Sequence, residues 1–197
     1  MTDTDTLYVH YFDAIDTPRA QHLMRVITEA LAKHRPKTLC LLLSSKGGSV
    51  DAGIALYNFL RSLPVTVVTH STGVVKSIAN VVFLAGERRS ASPHGSFLFH
   101  GVMASFPKGH MATLTHLQER LSTLIQDENT LVGIVTAHTS LTESEARAFL
   151  HQGEAKDAAF ALAKGIVHEV AELRIPAGAP VITGHLPHHH VHHPAKY

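Results

Sequence analysis

Leu41-Leu42-Leu43-Ser44-Ser45-Lys46-Gly47-Gly48 carries an apolar run into a glycine pair, and Gly73-Val74-Val75-Lys76-Ser77 and Phe97-Leu98-Phe99-His100 follow it before Val102. Each segment closes on residues able to do chemistry at a strand edge, where α/β proteins collect their functional groups. The run from Thr38 to Leu43 is continuously apolar, as in a strand covered on both faces, and Gly47-Gly48 ends it. Asp51 to Leu63 then has helical spacing in Ile54, Tyr57, Leu60 and Leu63. Pro64 stops that helix, and Val65 to Thr69 is a β-branched strand. A strand, helix and strand in this order predict a parallel sheet with right-handed crossovers, hence an α/β fold.

The flanks extend the pattern. Leu7 to Phe12 is β-prone, and Thr17-Pro18 offers an N-cap and a first-turn proline for a helix from about Pro18 to His34, which Arg35-Pro36-Lys37 breaks. Downstream, Ser77 to Ala85 is an apolar helix ended by Gly86, and Ala91 and Phe97-Leu98-Phe99 are short strands around the turn Pro93-His94-Gly95. Met111 to His138 reads as one long helix with Leu114, Leu117, Leu121, Leu124, Ile125, Leu131 and Val135 on one side. Thr142-Glu143-Ser144-Glu145 is a capping-box start, Asp157 to Lys164 is a further helix closed by Gly165, and Ile166-Val167 begins a last strand. One domain is expected over 1–175, with a Pro/Gly/His-rich flexible tail over 176–197.

Composition narrows the function. A formal charge of +1 gives no general attraction to nucleic acid or anionic membrane, so neither is expected as a partner. No apolar run approaches roughly 18 residues and Met1 to Thr6 lacks a signal-peptide pattern, which points to a soluble, cytoplasmic protein. The single cysteine, Cys40, sits in the apolar run as an inert buried thiol. Histidines 185, 188, 189, 190, 192 and 193 could hold a divalent metal loosely, but a flexible cluster fixes no geometry, so no metal site and no cofactor are expected.

The chemistry lies in the opening stretch. Gly47-Gly48 can turn backbone amides toward a carbonyl as an oxyanion hole, or form a tight turn and nothing more. Ser77 stands where an N-cap is commoner than a nucleophile, and His100 closes a strand where an imidazole can be held at the sheet edge. With 17 histidines in the chain, a serine and a histidine in order do not by themselves make a pair.

Taken together, Leu42 to Val50, Gly73 to Ser77, Arg89 to Pro93 and Phe99-His100 resemble the proteolytic subunit of the Clp protease, in the ClpP/crotonase superfamily, over roughly residues 7 to 173. The resemblance implies ClpP/crotonase-like repeated β-β-α units with a protruding handle helix, and a serine-type endopeptidase acting on peptides or proteins without a cofactor. It implies Ser77 as nucleophile, His100 as general base, the amides of Gly48 and Ile78 as oxyanion hole, and a homo-oligomer built through Met111 to His138. An unaided serine is a poor nucleophile, whereas a histidine with pKa near roughly 6.5 can take its proton and return it to the leaving amine.

The departures are specific. Lys46 replaces the usual proline before the glycine pair, and Gly101-Val102 replaces Gln-Pro after the histidine. The acid that orients the histidine falls at Gly153, leaving Glu154 as the first substitute and Asp157 as the second. A Ser77–Lys76 dyad is disfavoured because adjacent residues at a helix start point apart. Only Met1 to Thr6 precede the first strand, which weakens the expectation of an ATP-dependent unfoldase partner. The alternatives are a weak or inactive assembly subunit and, ranked lower, a crotonase-like acyl-CoA enzyme.

Overall fold

The computed structural model describes residues 5–103 and 111–186. Its first unit is strand β1 (Thr6–Phe12), helix α1 (Thr17–His34) and strand β2 (Thr38–Ser45). Asp16, not Thr17, caps α1: it is extended, its carboxylate accepts the Arg19 N–H at 2.9 Å, and Pro18 lies in the first turn. Helix α2 (Val50–Ser62) starts from Ser49, whose hydroxyl accepts the Ala52 N–H, and leads to strand β3 (Thr66–Lys76). Helix α3 (Ala79–Leu84), strands β4 (Arg88–Ala91) and β5 (Ser96–Leu98), and helices α4 (Leu114–His138) and α5 (Glu143–Gln152) follow. Strand β6 (Ala155–Asp157), helix α6 (Ala158–Ala163) and strands β7 (Glu169–Val170) and β8 (Val181–Thr183) complete the order.

The eight strands form one sheet along the path β6-β5-β3-β2-β1-β8, with β4 and β7 branching from β3. All pairings are parallel except β5 with β6. β3 is the fork: Val68 to Ser71 pair with β4, and Val74 to Lys76 pair with β5. Every residue of β2 after Thr38 is buried, as the continuous apolar run requires of a strand covered on both faces. Leu39, Leu41 and Leu43 join the main core with α1, α2, α3 and the end of α4, while Cys40 and Leu42 face a smaller cluster under Leu173 and Ala179. Burial pushes the Cys40 thiol up to about 12.

Arg89 ties the distal loops together from a buried position. Its guanidinium donates to the carbonyls of Gly86, Ile166, His138 and Gly165, at 2.6–3.0 Å, and lies against the His168 ring. Helix α4 has two environments. Leu131, Val132 and Val135 are buried, whereas Leu114, Leu117, Leu121 and Ile125 are exposed, so the helix leaves the body as a protruding handle.

Several boundaries differ from the sequence expectation. β3 runs seven residues past Thr69 because β2, β4 and β5 pair with it on both sides, overriding the Gly73 signal. The last strand of the inner part is Glu169–Val170, whereas Ile166 and Val167 are buried outside any strand. α4 begins at Leu114, with the Thr113 hydroxyl as its cap, and not at Met111. The segment read as tail holds β8 against β1, with Tyr8 N–H donating to Pro180 O and Gly184 N–H to His10 O. The histidines from His188 onward lie outside the described residues. Among the described residues, no helix is long and apolar enough to cross a membrane.

Candidate active site

β3 ends at Lys76, and the chain must turn within two residues to enter α3. Ser77 makes that turn at φ 56°, the left-handed region that L side chains occupy at a cost of about 1–2 kcal/mol. Its N–H donates to Leu98 O at 2.8 Å, and its carbonyl accepts the Asn80 N–H at 3.0 Å. Ile78 takes the N-cap position of α3 and no side chain caps the helix, so the hydroxyl of Ser77 is not the cap that its position in the sequence favours. That hydroxyl makes no hydrogen bond among the described residues.

Gly47 sits against this turn. A Cβ there would lie 2.6 Å from Ser77 Cβ and 2.7 Å from Lys76 O, and φ is +88°. A Cβ on Gly48 would run into the carbonyl oxygen of Ile15. The pair is pinned from the other side as Ile15 N–H donates to Gly47 O at 2.9 Å and Ser49 N–H to Ile15 O at 2.7 Å. The N–H groups of Gly48 and Ile78 are left without an acceptor among the described residues, and both residues line one cavity of about 260 Å³ with Ser77 and His100. Free amide donors around a hydroxyl and an imidazole are the elements of acyl-transfer chemistry.

His100 follows β5 and is half-buried, with Nδ1 2.9 Å from Gly101 O. A carbonyl only accepts, so Nδ1 carries the hydrogen and Nε2 is left as the acceptor. No hydrogen bond joins it to Ser77. Asp51, Arg120, Asp127 and Leu131 also line the cavity. Burial, reinforced by the Asp51 charge, holds the Asp127 carboxyl above its usual range.

The structure does not bring Glu154 to this cavity. It is exposed and accepts from Lys156 Nζ at 2.6 Å, and this bond and the ammonium charge hold its carboxyl low. Asp157 caps α6 by accepting the Phe160 N–H at 2.8 Å. Gly153, the position expected to hold the acid, closes α5 in the left-handed region at φ 62°. Lys46 is exposed, and Lys76 is the last residue of β3. The residue that sequence reasoning passed over is Asn80, which donates its side-chain amide to Ser77 O at 3.0 Å and Leu98 O at 2.8 Å. Its signal is a lone polar residue in an otherwise apolar helix.

The family model described as Clp protease matches residues 4–174. The chain is 28% identical over 151 residues to ATP-dependent Clp protease proteolytic subunit 2 of Borreliella burgdorferi, covering 76% of this chain and 73% of that one. It is 26% identical over 140 residues to the ATP-dependent Clp protease proteolytic subunit of Bdellovibrio bacteriovorus, covering 70% and 66%. It thus spans about two thirds to three quarters of these relatives. Among solved structures, a substituted ClpP1 from Listeria monocytogenes matches with a TM-score of 0.72 at 20% identity, over 87% of this chain and 94% of that one.

Proposed function

The chain belongs to the Clp protease family, and from that premise we propose that it is a serine-type peptidase acting through Ser77 and His100. The observation that carries the reading is the convergence of one hydroxyl, one imidazole and two backbone N–H groups, Gly48 and Ile78, unused among the described residues, on a single cavity. Ser77 Oγ attacks the peptide carbonyl as its proton passes to His100 Nε2. The oxyanion that forms is held by the N–H groups of Gly48 and Ile78. The C–N bond then breaks, Nε2 returns the proton to the leaving amine, and water repeats the sequence on the acyl-enzyme.

The weak element is the orientation of His100. Gly101 O fixes the tautomer that exposes Nε2, but a neutral carbonyl stabilises the developing imidazolium less than a carboxylate does. Removing the acid of such a triad costs about four orders of magnitude in turnover. Glu154 takes that part only by leaving Lys156. A slow peptidase is therefore the reading, with an inactive assembly subunit as the second, favoured by the engagement of Glu154 with Lys156. In either case the exposed Leu114, Leu117, Leu121 and Ile125 of α4 are covered by a second copy of the chain.

Fluorophosphonate labelling tests the nucleophile: wild type labels and Ser77→Ala does not. Equal labelling of the two, or none in a folded wild type, removes the assignment. Peptide turnover that disappears in His100→Ala excludes the inactive subunit.

A further inference from the structure

We propose that Asn80 is a positioning residue for this reaction, a clamp that sets the spacing between the nucleophile's turn and the strand carrying the base; the proposal rests on the peptidase reading above. Helix α3 is buried along its whole length, and Asn80 is its only polar member, flanked by Ala79, Val81, Val82, Phe83 and Leu84. The side chain is 1% exposed, and burying an amide among apolar groups is unfavourable unless its hydrogen bonds are made. Only half of them are. Nδ2 donates to Ser77 O at 3.0 Å and to Leu98 O at 2.8 Å, while Oδ1 is buried without a partner among the described residues.

The orientation follows from the partners. Both are carbonyl oxygens, so the nitrogen must face them, and among the described residues no donor meets the oxygen on the other side. Apolar packing alone would be served better by an aliphatic residue such as leucine, which has the same branching pattern and no unsatisfied atom. What asparagine provides is a bridge between two points that matter to the site. Ser77 O belongs to the left-handed turn at φ 56°, and Leu98 O belongs to β5, two residues before His100. Leu98 O also accepts the Ser77 N–H at 2.8 Å, so a single carbonyl is the shared anchor of Ser77 and Asn80. With the side-chain amide removed, the turn is joined to β5 there through the Ser77 N–H, and the strained residue is freer to relax away from His100. A misplacement on the order of 1 Å can cost roughly a hundredfold in rate.

The test is Asn80→Leu, read by thermal melting, by the rate of fluorophosphonate labelling of Ser77, and by amide hydrogen exchange over residues 76–82. The clamp predicts at least roughly tenfold slower labelling and faster exchange confined to the turn, whatever the shift in melting temperature that the larger side chain brings. Wild-type labelling and exchange in the folded variant overturn it. So does exchange that rises across the whole sheet along with a lower melting temperature, which marks Asn80 as core packing only. Should Asn80→Leu not fold, Asn80→Ser takes its place, its hydroxyl being too short to span both carbonyls; failure of both to fold assigns Asn80 to the core and overturns the proposal. If wild type takes no label, the peptidase reading fails by itself, and the exchange of residues 76–82 still decides for or against the clamp.

Discussion

Gly53→Ala tests how closely α2 supports the proposed oxyanion hole. Gly53 is buried in α2, and a Cβ placed on it would overlap Ile78 Cγ1, with Ile78 Cδ1 at 3.1 Å and Cβ at 3.3 Å. Two opposed effects set the outcome. Alanine is favoured over glycine in a helix interior by about 1 kcal/mol, whereas forcing a methyl into a filled core costs about 1–3 kcal/mol. The clash is with a branched side chain that is itself 1% exposed. The net expectation is a loss of up to about 2 kcal/mol, or a few degrees of melting temperature for a chain of this size. On the proposed mechanism the effect on activity is larger, because Ile78 would supply one of the two oxyanion N–H groups, and loss of one such donor costs about 10²–10³ in kcat. Ile78→Ala alone leaves a cavity costing about 2–5 kcal/mol. In the double variant the new methyl fills part of that cavity, so the two losses combine to less than their sum by at least about 1 kcal/mol. Urea denaturation and fluorophosphonate labelling of the four proteins measure both quantities. Additive stabilities, or a Gly53→Ala protein stabilised by the full helix-propensity gain with wild-type labelling, refute the packing argument.

Ser77→Gly and Ser77→Ala both lose labelling, but the glycine variant is the more stable by about 1 kcal/mol because φ 56° carries no Cβ penalty for it; equal melting temperatures contradict the strained turn. Arg89→Met strands four carbonyl groups and removes a buried cation, for a loss of about 3 kcal/mol or more that Arg89→Lys does not restore, since one ammonium cannot replace the guanidinium fork. Denaturant midpoints of the two variants check this. Burial lowers the pKa of His70, His138 and His168, the last two helped by Arg89. Their neutral forms are favoured by folding, so the stability they contribute is complete above roughly pH 6.5 and is lost as the pH falls below it and the unfolded chain takes up protons. Melting temperature should fall between pH 7.5 and 5, and His168→Gln should flatten part of that slope.

The sequence was most legible where one signal sufficed. β2 announces itself because seven of its eight residues are buried, so no polar position interrupts the run. The start of α5 is equally plain, as Thr142 and Glu145 exchange the hydrogen bonds that their spacing implies. What stayed hidden depends on partners distant in sequence. The second half of β3 looks like a loop around Gly73 until β5 is seen beside it, and β8 has three residues whose pairing to β1 leaves no periodic trace. Ser77 is the instructive case. Its neighbours suggested an N-cap, and only the backbone conformation, which no residue type but glycine advertises, moves the cap to Ile78. The Ser77 and Ile78 turn also explains the glycines before it: Gly47 makes room for the Ser77 side chain and Gly53 for that of Ile78.

The same reasoning identifies where the site can be improved. Strain at Ser77 and two amide donors idle among the described residues are kept in place by tertiary contacts that owe nothing to an acid, so on the proposed mechanism the orientation of His100 is the separable part. The antiparallel pairing of β5 with β6 ends at Leu98 and Ala155; continued in the same register, it sets residue 153 opposite residue 100. A Cβ on Gly153 meets nothing within 4 Å, which leaves room for a side chain. Its φ of 62° costs most residues about 1–2 kcal/mol, but Asp and Asn tolerate this region best. Gly153→Asp therefore places a carboxylate near His100 for about 1 kcal/mol of stability. Peptide turnover should rise by at least roughly tenfold, and Gly153→Asn, equal in shape and uncharged, should not follow. A folded Gly153→Asp protein with unchanged turnover would show that the missing charge is not what limits the chemistry.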